Sequence, residues 1–171
     1  MDHFELANRL VDANDEGRLA LLGQQKPFLD LPLAYALKDI CYSAWGSEPD
    51  RTVRAANALT ALARHLGHPE VQAVADWTNG IAAIITGQME SALKNLDQAA
   101  EQFEQLGQPH TAAATQVSKV MVLAILGQYD AALASGLKAR DVFLAHDDLL
   151  AAGKIEQNLG NLHVRRDRYA D

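Results

Sequence analysis

Apolar residues recur along most of the chain at the spacing of one face of an α-helix. Between residues 88 and 106 the apolar positions are Met89, Ala92, Leu93, Leu96, Ala99, Ala100, Phe103 and Leu106. The opposite face of the same segment carries Glu90, Lys94, Asp97, Glu101 and Glu104. This pattern predicts a helix with one buried face and one solvated face. Residues 69–86 and 148–166 are predicted to form two further helices.

The pattern repeats with an offset of forty residues. Two four-residue segments show it: Leu66-Gly67-His68-Pro69 recurs as Leu106-Gly107-Gln108-Pro109, and Gly87-Gln88-Met89-Glu90 recurs as Gly127-Gln128-Tyr129-Asp130. Glycine accepts the left-handed conformation that often ends a helix, and proline fits the first turn of the next one. Each unit is therefore predicted to be two antiparallel helices joined by a short turn.

A single helical hairpin buries too little apolar surface to be stable, whereas stacked hairpins share a continuous core. The predicted fold class is therefore all-α, an α-solenoid of stacked antiparallel helix pairs. Its units are placed near residues 33–72, 73–112, 113–152 and 153–171, the last of them truncated. Residues 1–32 do not follow the repeat. They contain two short helical segments, near residues 4–11 and 18–25, which are predicted to form an N-terminal helical cap.

Composition and charge narrow the class of protein. The net charge is -7, which disfavours a nucleic-acid partner because phosphate contacts need a concentrated basic surface. No stretch approaches the roughly 18 to 20 apolar residues of a membrane span, and the acidic N-terminus lacks the features of a signal peptide. We therefore expect a cytoplasmic protein without a membrane partner.

No motif for catalysis, for a cofactor or for a metal is found, so a non-enzymatic protein is expected. His65 and His68 lie three residues apart, but they occupy an inter-helix turn and are predicted to be solvated rather than metal ligands. Asp147 or Asp148 is predicted to cap the following helix. The single cysteine, Cys41, cannot form an internal disulfide, and it is predicted to be a buried thiol.

The residues at the repeated positions resemble the tetratricopeptide (TPR) family over residues 33–171. The small–large pattern of that family is found in Asn79-Gly80, Gly87-Gln88-Met89, Ala92, Leu96 and Ala99, then in Gly127-Gln128-Tyr129, Ala132 and Ala139, and then in Asn158-Leu159-Gly160 with Tyr169. Two departures are the period of forty rather than thirty-four, and Val120 and Ile40 in place of the first-helix glycine. Units of this length resemble arrays in large bacterial signalling proteins, including arrays fused to CHAT peptidase domains.

In TPR proteins the first helix of each pair lines a ligand-binding groove. The resemblance therefore implies groove positions at Trp77, Thr78, Ile81, Val117, Ser118 and Met121 in the middle units, and at Gln157, Asn158, Asn161 and Arg165 in the last helix. In one interpretation a peptide places apolar side chains near Trp77 and Met121, while Arg165 pairs with a carboxylate. In the alternative, the apolar members of this set pack inside the protein.

Two hypotheses about function follow. The first is a protein–protein interaction scaffold that binds a protein or peptide and is a fragment of a larger bacterial protein. The second is a regulatory sensor module that binds a signalling peptide or small molecule and controls an attached effector domain. A third, weaker hypothesis is a homodimer through the open C-terminal end, where the apolar face of the last helix would lack its partner.

Overall fold

The computed structural model describes residues 2–168, and over this range the chain forms nine α-helices, one short 3₁₀ turn and no strand. The helices are α1 (His3–Asp12), α2 (Asp15–Gln24), α3 (Leu31–Ala44), α4 (Pro49–Leu66), α5 (Pro69–Ile85), α6 (Met89–Gln105), α7 (Pro109–Ile125), α8 (Tyr129–Ala145) and α9 (Leu149–Arg168). The all-α prediction is confirmed. No helix in the described range has the length and apolar character needed to cross a bilayer.

The chain forms two compact units, and the boundary between them lies inside α6. In unit 1, Met1–Ala99, α3 and α5 contact each other and α4 packs against both. The short helix α1 packs against α3 and α4. In unit 2, Ala100–Asp171, α8 packs against α7 and α9, which also contact each other. Within each unit, helices that are adjacent in sequence are thus packed in pairs, as expected.

Successive helices begin at a constant spacing of twenty residues from α4 onward, at Pro49, Pro69, Met89, Pro109, Tyr129 and Leu149. The residues with positive φ between these helices follow the same spacing, and they are Gly67, Gly87, Gly107, Gly127 and Asp147. The forty-residue period of the sequence therefore consists of two helix–turn segments of equal length. The first helices of the pairs are α3, α5, α7 and α9.

The turn at Gly127 shows why a positive φ is needed at the end of a helix. Gly127 has φ 72°, and its N–H donates to the Ala124 carbonyl at 3.2 Å, while the next N–H, that of Gln128, donates to the Leu123 carbonyl at 2.9 Å. These two bonds satisfy carbonyl groups at the end of α7 that have no partner within the helix. The same pair of bonds recurs at Asp147 and Asp148.

The buried face of α6 agrees with the sequence pattern. Ala92, Leu96, Ala99 and Phe103 are all fully buried, and they lie three or four residues apart, as one face of a helix requires. The five charged residues predicted for the opposite face are all exposed. The amphipathic pattern therefore predicted the buried face of this helix correctly, except that Leu106, the last position of the predicted stripe, is exposed and follows the end of α6.

The two buried helical glycines, Gly80 and Gly136, each lie against a leucine of the following helix. In unit 1, a Cβ placed on Gly80 of α5 would lie 2.7 Å from Leu96 Cγ of α6. In unit 2, a Cβ on Gly136 of α8 would lie 3.5 Å from Val120 Cγ2 of α7 and 2.6 Å from Leu159 Cδ2 of α9. Val120 and Gly136 lie forty positions after Gly80 and Leu96. The glycine of unit 2 thus lies on the second helix, where it makes room for Leu159 of α9, whereas Val120 is at ordinary contact distance.

The two short helices predicted near the N-terminus are confirmed as α1 and α2. Each begins at a side-chain cap, because Asp2 accepts from the Glu5 N–H and Asn14 accepts from the Gly17 N–H. The buried Arg18 donates to the Leu10 carbonyl and to the Ala13 carbonyl, each at 3.1 Å. These bonds hold α2 against the end of α1.

Candidate binding site

Trp77 and Ile81, the predicted groove residues of unit 1, both lie on α5 and are 6% and 0% exposed. Thr78, between them, is also buried, and its hydroxyl donates to the Ala75 carbonyl at 3.0 Å. The burial of Trp77 and Ile81 favours the alternative in which they pack inside the protein.

The other predicted groove residues belong to unit 2. Val117 and Met121 are half-buried on α7, and Ser118 is buried, whereas Gln157, Asn158 and Asn161 are exposed on α9. Arg165 lies within α9, but its side chain is outside the described part of the structure. The exposed amides of α9 can bond to a partner. The groove as a whole stays a prediction.

Trp77 belongs to a cluster of aromatic side chains around one lysine, which the sequence analysis did not identify. The ammonium Nζ of Lys38 lies 5.7 Å from the ring centroid of Tyr35, 5.4 Å from that of Tyr42 and 5.3 Å from that of Trp77. A cation within about 6 Å of an aromatic ring centroid is attracted by the negative face of the ring. We refer to Tyr35, Lys38, Tyr42, Trp45 and Trp77 as the aromatic–lysine cluster.

The helical spacing of α3 brings most of this cluster together. Tyr35, Lys38 and Tyr42 lie three and four residues apart and therefore share one face of the helix, while Trp45 follows directly after its last residue. The ring of Tyr42 makes edge-to-face contacts with Trp45 at 5.9 Å and with Trp77 at 5.7 Å. Since α5 packs beside α3, it contributes Trp77 from a second helix.

Two carboxylates border the cluster. Lys38 Nζ lies 2.8 Å from Asp39 Oδ1, and the Tyr35 hydroxyl donates to Glu70 Oε1 at 3.1 Å. Burial, with a further contribution from the Glu70 charge, raises the pKa of Tyr35 to about 12. Tyr35 is therefore a neutral hydrogen-bond donor at ordinary pH.

Cys41 lies on the same helix, and the prediction of a buried thiol is confirmed. Burial raises the pKa of the Cys41 thiol to about 12, although the nearby Lys38 charge acts in the opposite direction. Because the thiolate is the reactive form, Cys41 is not activated for chemistry at neutral pH.

The sequence analysis missed the cluster because the forty-residue repeat does not extend to its residues. Forty positions after Tyr35, Lys38, Tyr42 and Trp45 stand Ala75, Thr78, Ala82 and Ile85. The concentration of aromatic residues in and beside α3 could have revealed the cluster. The chain has two Trp and four Tyr residues, and both Trp and two of the Tyr belong to the aromatic–lysine cluster.

A second polar cluster, in unit 2, links the start of α7 to the start of α9. His110 Nε2 lies 2.9 Å from Asp148 Oδ2, and the His110 ring packs against Phe143 and His146. Asp148 also accepts from the Ala151 N–H at 2.9 Å, which confirms the predicted cap. This bond and the one with His110 lower the pKa of the Asp148 carboxyl. The contacts fix the relative positions of two first helices and are structural.

The histidines singled out in the sequence do not gather with other ligands. His65 and His68 are both exposed, as predicted. The prediction of an inter-helix turn is confirmed for His68 but wrong for His65, which lies in the last turn of α4. Across residues 2–168, no group of three or more His, Cys, Asp or Glu side chains is arranged to hold a metal ion.

Comparisons of the chain with protein-family models, with curated proteins and with solved structures found no match. The TPR resemblance therefore stays a prediction from the sequence.

Proposed function

We propose that the chain is a non-enzymatic protein–protein interaction scaffold of the TPR-like type. Its partner is a protein or peptide that binds the aromatic–lysine cluster on the first helices α3 and α5. The observation that carries this proposal is the concentration of Trp and Tyr side chains around Lys38. Trp and Tyr are enriched at binding hot spots, because they offer a large contact area and a polar tip at low cost in conformational entropy.

The exposure of the cluster supports a surface role. Tyr35, Tyr42 and Trp45 are half-buried, so part of each of these residues is accessible to a partner, whereas Trp77 is buried and supports Tyr42 through their edge-to-face contact. The edge-to-face contacts among Tyr42, Trp45 and Trp77 hold the rings in fixed orientations. Such preorganisation reduces the entropy that is lost when a partner binds.

The class of partner follows from the charge of the chain. With a net charge of -7, the protein is poorly suited to phosphate backbones or to anionic lipid surfaces. A protein or peptide partner is therefore part of the proposal. A cytoplasmic location is proposed with it.

Selection from a peptide library with the full chain, followed by calorimetry on the selected peptides, tests the proposal. Tyr42→Ala and Trp45→Ala are expected to weaken binding at least about tenfold, as truncation of a hot-spot residue does. Tyr129→Ala, which removes a half-buried tyrosine on α8, is the matched control and is expected to bind like the wild type. Thermal melts establish that each variant is folded.

The outcome that contradicts the proposed site is equally specific. Peptides that bind the Tyr42 and Trp45 variants like the wild type, but lose affinity with Asn158→Ala or Asn161→Ala, would place the binding surface on α9. A chain that selects no peptide and no folded protein domain would remove the scaffold proposal itself.

A further inference from the structure

We infer that the rings of Tyr35, Tyr42 and Trp77 form a cage for a cationic side chain of the partner, and that Lys38 occupies this cage in the unbound chain. The inference rests on the proposed function, because it specifies the chemistry of the partner. The cage itself is a property of the chain and is tested below without any partner.

The geometry of the three rings is that of a cation site. Lys38 Nζ lies between 5.3 and 5.7 Å from all three ring centroids, so the rings converge on one point rather than forming a chain of pairwise contacts. Recognition of ammonium groups by several aromatic rings uses this arrangement, and each ring contributes through the negative charge of its face.

The charges around the cage favour a cation over an anion. Asp39 contacts Lys38 directly, and Glu70 is bonded to the hydroxyl of Tyr35. A partner carboxylate would gain the attraction of Lys38, but it would also meet the Asp39 carboxylate and the negative faces of three rings. A partner lysine, arginine or methylated lysine would meet attraction from all of them.

Lys38 belongs to the chain itself and competes with a partner cation for the cage. Its side chain is only 18% exposed, so its ammonium and a second cation cannot occupy the cage together. The long flexible stem of lysine allows the ammonium to move into solvent when another cation enters. The cage then holds one positive charge before and after binding, and Lys38 lowers the apparent affinity for the partner.

Choline and its neutral isostere 3,3-dimethylbutanol are suitable probes, because they have the same shape and differ in charge. Both tryptophans of the chain lie in the cluster, so intrinsic fluorescence reports the site directly. We expect Lys38→Ala to bind choline about 2- to 30-fold more tightly than the wild type, the range that corresponds to the loss of a competing cation–π contact. The neutral isostere is expected to show no such gain.

A second variant separates the cage from a simple cavity. In Lys38→Ala/Tyr42→Leu the cavity remains apolar but one ring is removed, so choline is expected to bind more weakly than to Lys38→Ala alone. Urea unfolding of all variants identifies any that fail to fold. In that event Lys38→Gln, which keeps most of the stem, replaces Lys38→Ala and is expected to show the same direction of change.

Three results would overturn the inference. One is choline binding by Lys38→Ala that is no tighter than by the wild type. Another is equal binding of choline and its isostere, which indicates an apolar cavity. The third is acetate binding by the wild type that disappears in Lys38→Ala, which indicates an anion site. If any of these occurs while Trp45→Ala still weakens peptide binding, the scaffold proposal stands and the cage alone is rejected.

Discussion

Asp147 occupies the turn position with positive φ that is a glycine in the four preceding turns. It has φ 57°, a conformation that costs about 1–2 kcal/mol for most residues with a side chain, less for Asp and nothing for glycine. We therefore predict that Asp147→Gly raises the free energy of unfolding by roughly 0.5–1 kcal/mol, as measured by urea unfolding. The matched control, Gly127→Ala, places a side chain at the equivalent position of the preceding turn and is expected to lower stability by about 1 kcal/mol. A neutral or destabilising Asp147→Gly would contradict this reading of the turn.

Asp148 makes the stability of unit 2 dependent on pH. Its pKa is lowered from 3.8 by the Ala151 N–H and by His110, so the folded state binds its proton less tightly than the unfolded chain does. The resulting stabilisation is fully present above the unfolded value of 3.8 and is lost as the pH falls through the lower folded value. Asp148→Asn keeps a capping side chain but cannot titrate. We therefore predict that it loses part of the acid destabilisation.

Urea midpoints measured at neutral pH and at a series of pH values below 4 would show this difference. Asp147→Asn, at the neighbouring exposed position, is the control and is expected to retain the acid response of the wild type. If Asp148→Asn retains it as well, the contacts of Asp148 with His110 and Ala151 do not stabilise the folded state.

At the scale of helices, the close approach of Gly80 to Leu96 makes a prediction about α5 and α6. Gly80→Val is expected to lower the free energy of unfolding by about 1–3 kcal/mol, since the new side chain meets the buried Leu96. Leu96→Gly is expected to cost about 3–5 kcal/mol through the cavity and the loss of helix propensity. In the double variant each change relieves the other, because the smaller residue at position 96 leaves space for the valine at position 80, so its cost should fall short of the sum by at least about 1 kcal/mol.

A double-mutant cycle by urea unfolding measures this coupling. Gly153→Val, on α9, is the control because a Cβ there meets no atom within 4 Å, and it should change stability by about 0.5 kcal/mol or less. Strict additivity of the Gly80 and Leu96 changes would show that the two positions do not compensate each other.

The helices themselves could be predicted closely from the sequence. Residues 69–86 and 88–106 were predicted as helices, and α5 and α6 are Pro69–Ile85 and Met89–Gln105, because proline and glycine mark their ends chemically. The last helix was predicted over 148–166 and extends to Arg168. Local signals of this kind act within one or two turns of the chain, so a sequence contains them directly.

The contacts between helices could not be predicted in the same way. Trp77 was identified as a groove residue, yet its contacts with Tyr42 and Lys38 depend on how α3 packs beside α5. Residues 35 positions apart in sequence have no spacing rule that brings their side chains together. The need for a glycine at position 136 could likewise not be predicted, because the residue that approaches it, Leu159, lies on a neighbouring helix.

At the scale of the whole molecule, the net charge of -7 acts on any charged partner. We predict that a lysine-rich peptide binds more weakly as the salt concentration rises from about 0.05 to about 0.5 M, because added ions screen the attraction. Calorimetry with a glutamate-rich peptide of equal length is the control, and its affinity should not fall in the same series. Salt-independent binding of the lysine-rich peptide would mean that the negative charge of the chain plays no part in recognition.

The constant interval between helix starts limits how a chain of this kind changes in length. From α5 to α8, seventeen-residue helices and three-residue connections allow a single helix to be duplicated or lost without altering any turn. Such a change would convert every later first helix into a second helix, although the two kinds are built differently: in unit 2, α7 buries seven of its residues and α8 five. The gain or loss of an odd number of helices would therefore expose apolar surface that is buried in the present arrangement. The fold is compatible with a change in length only by whole helix pairs.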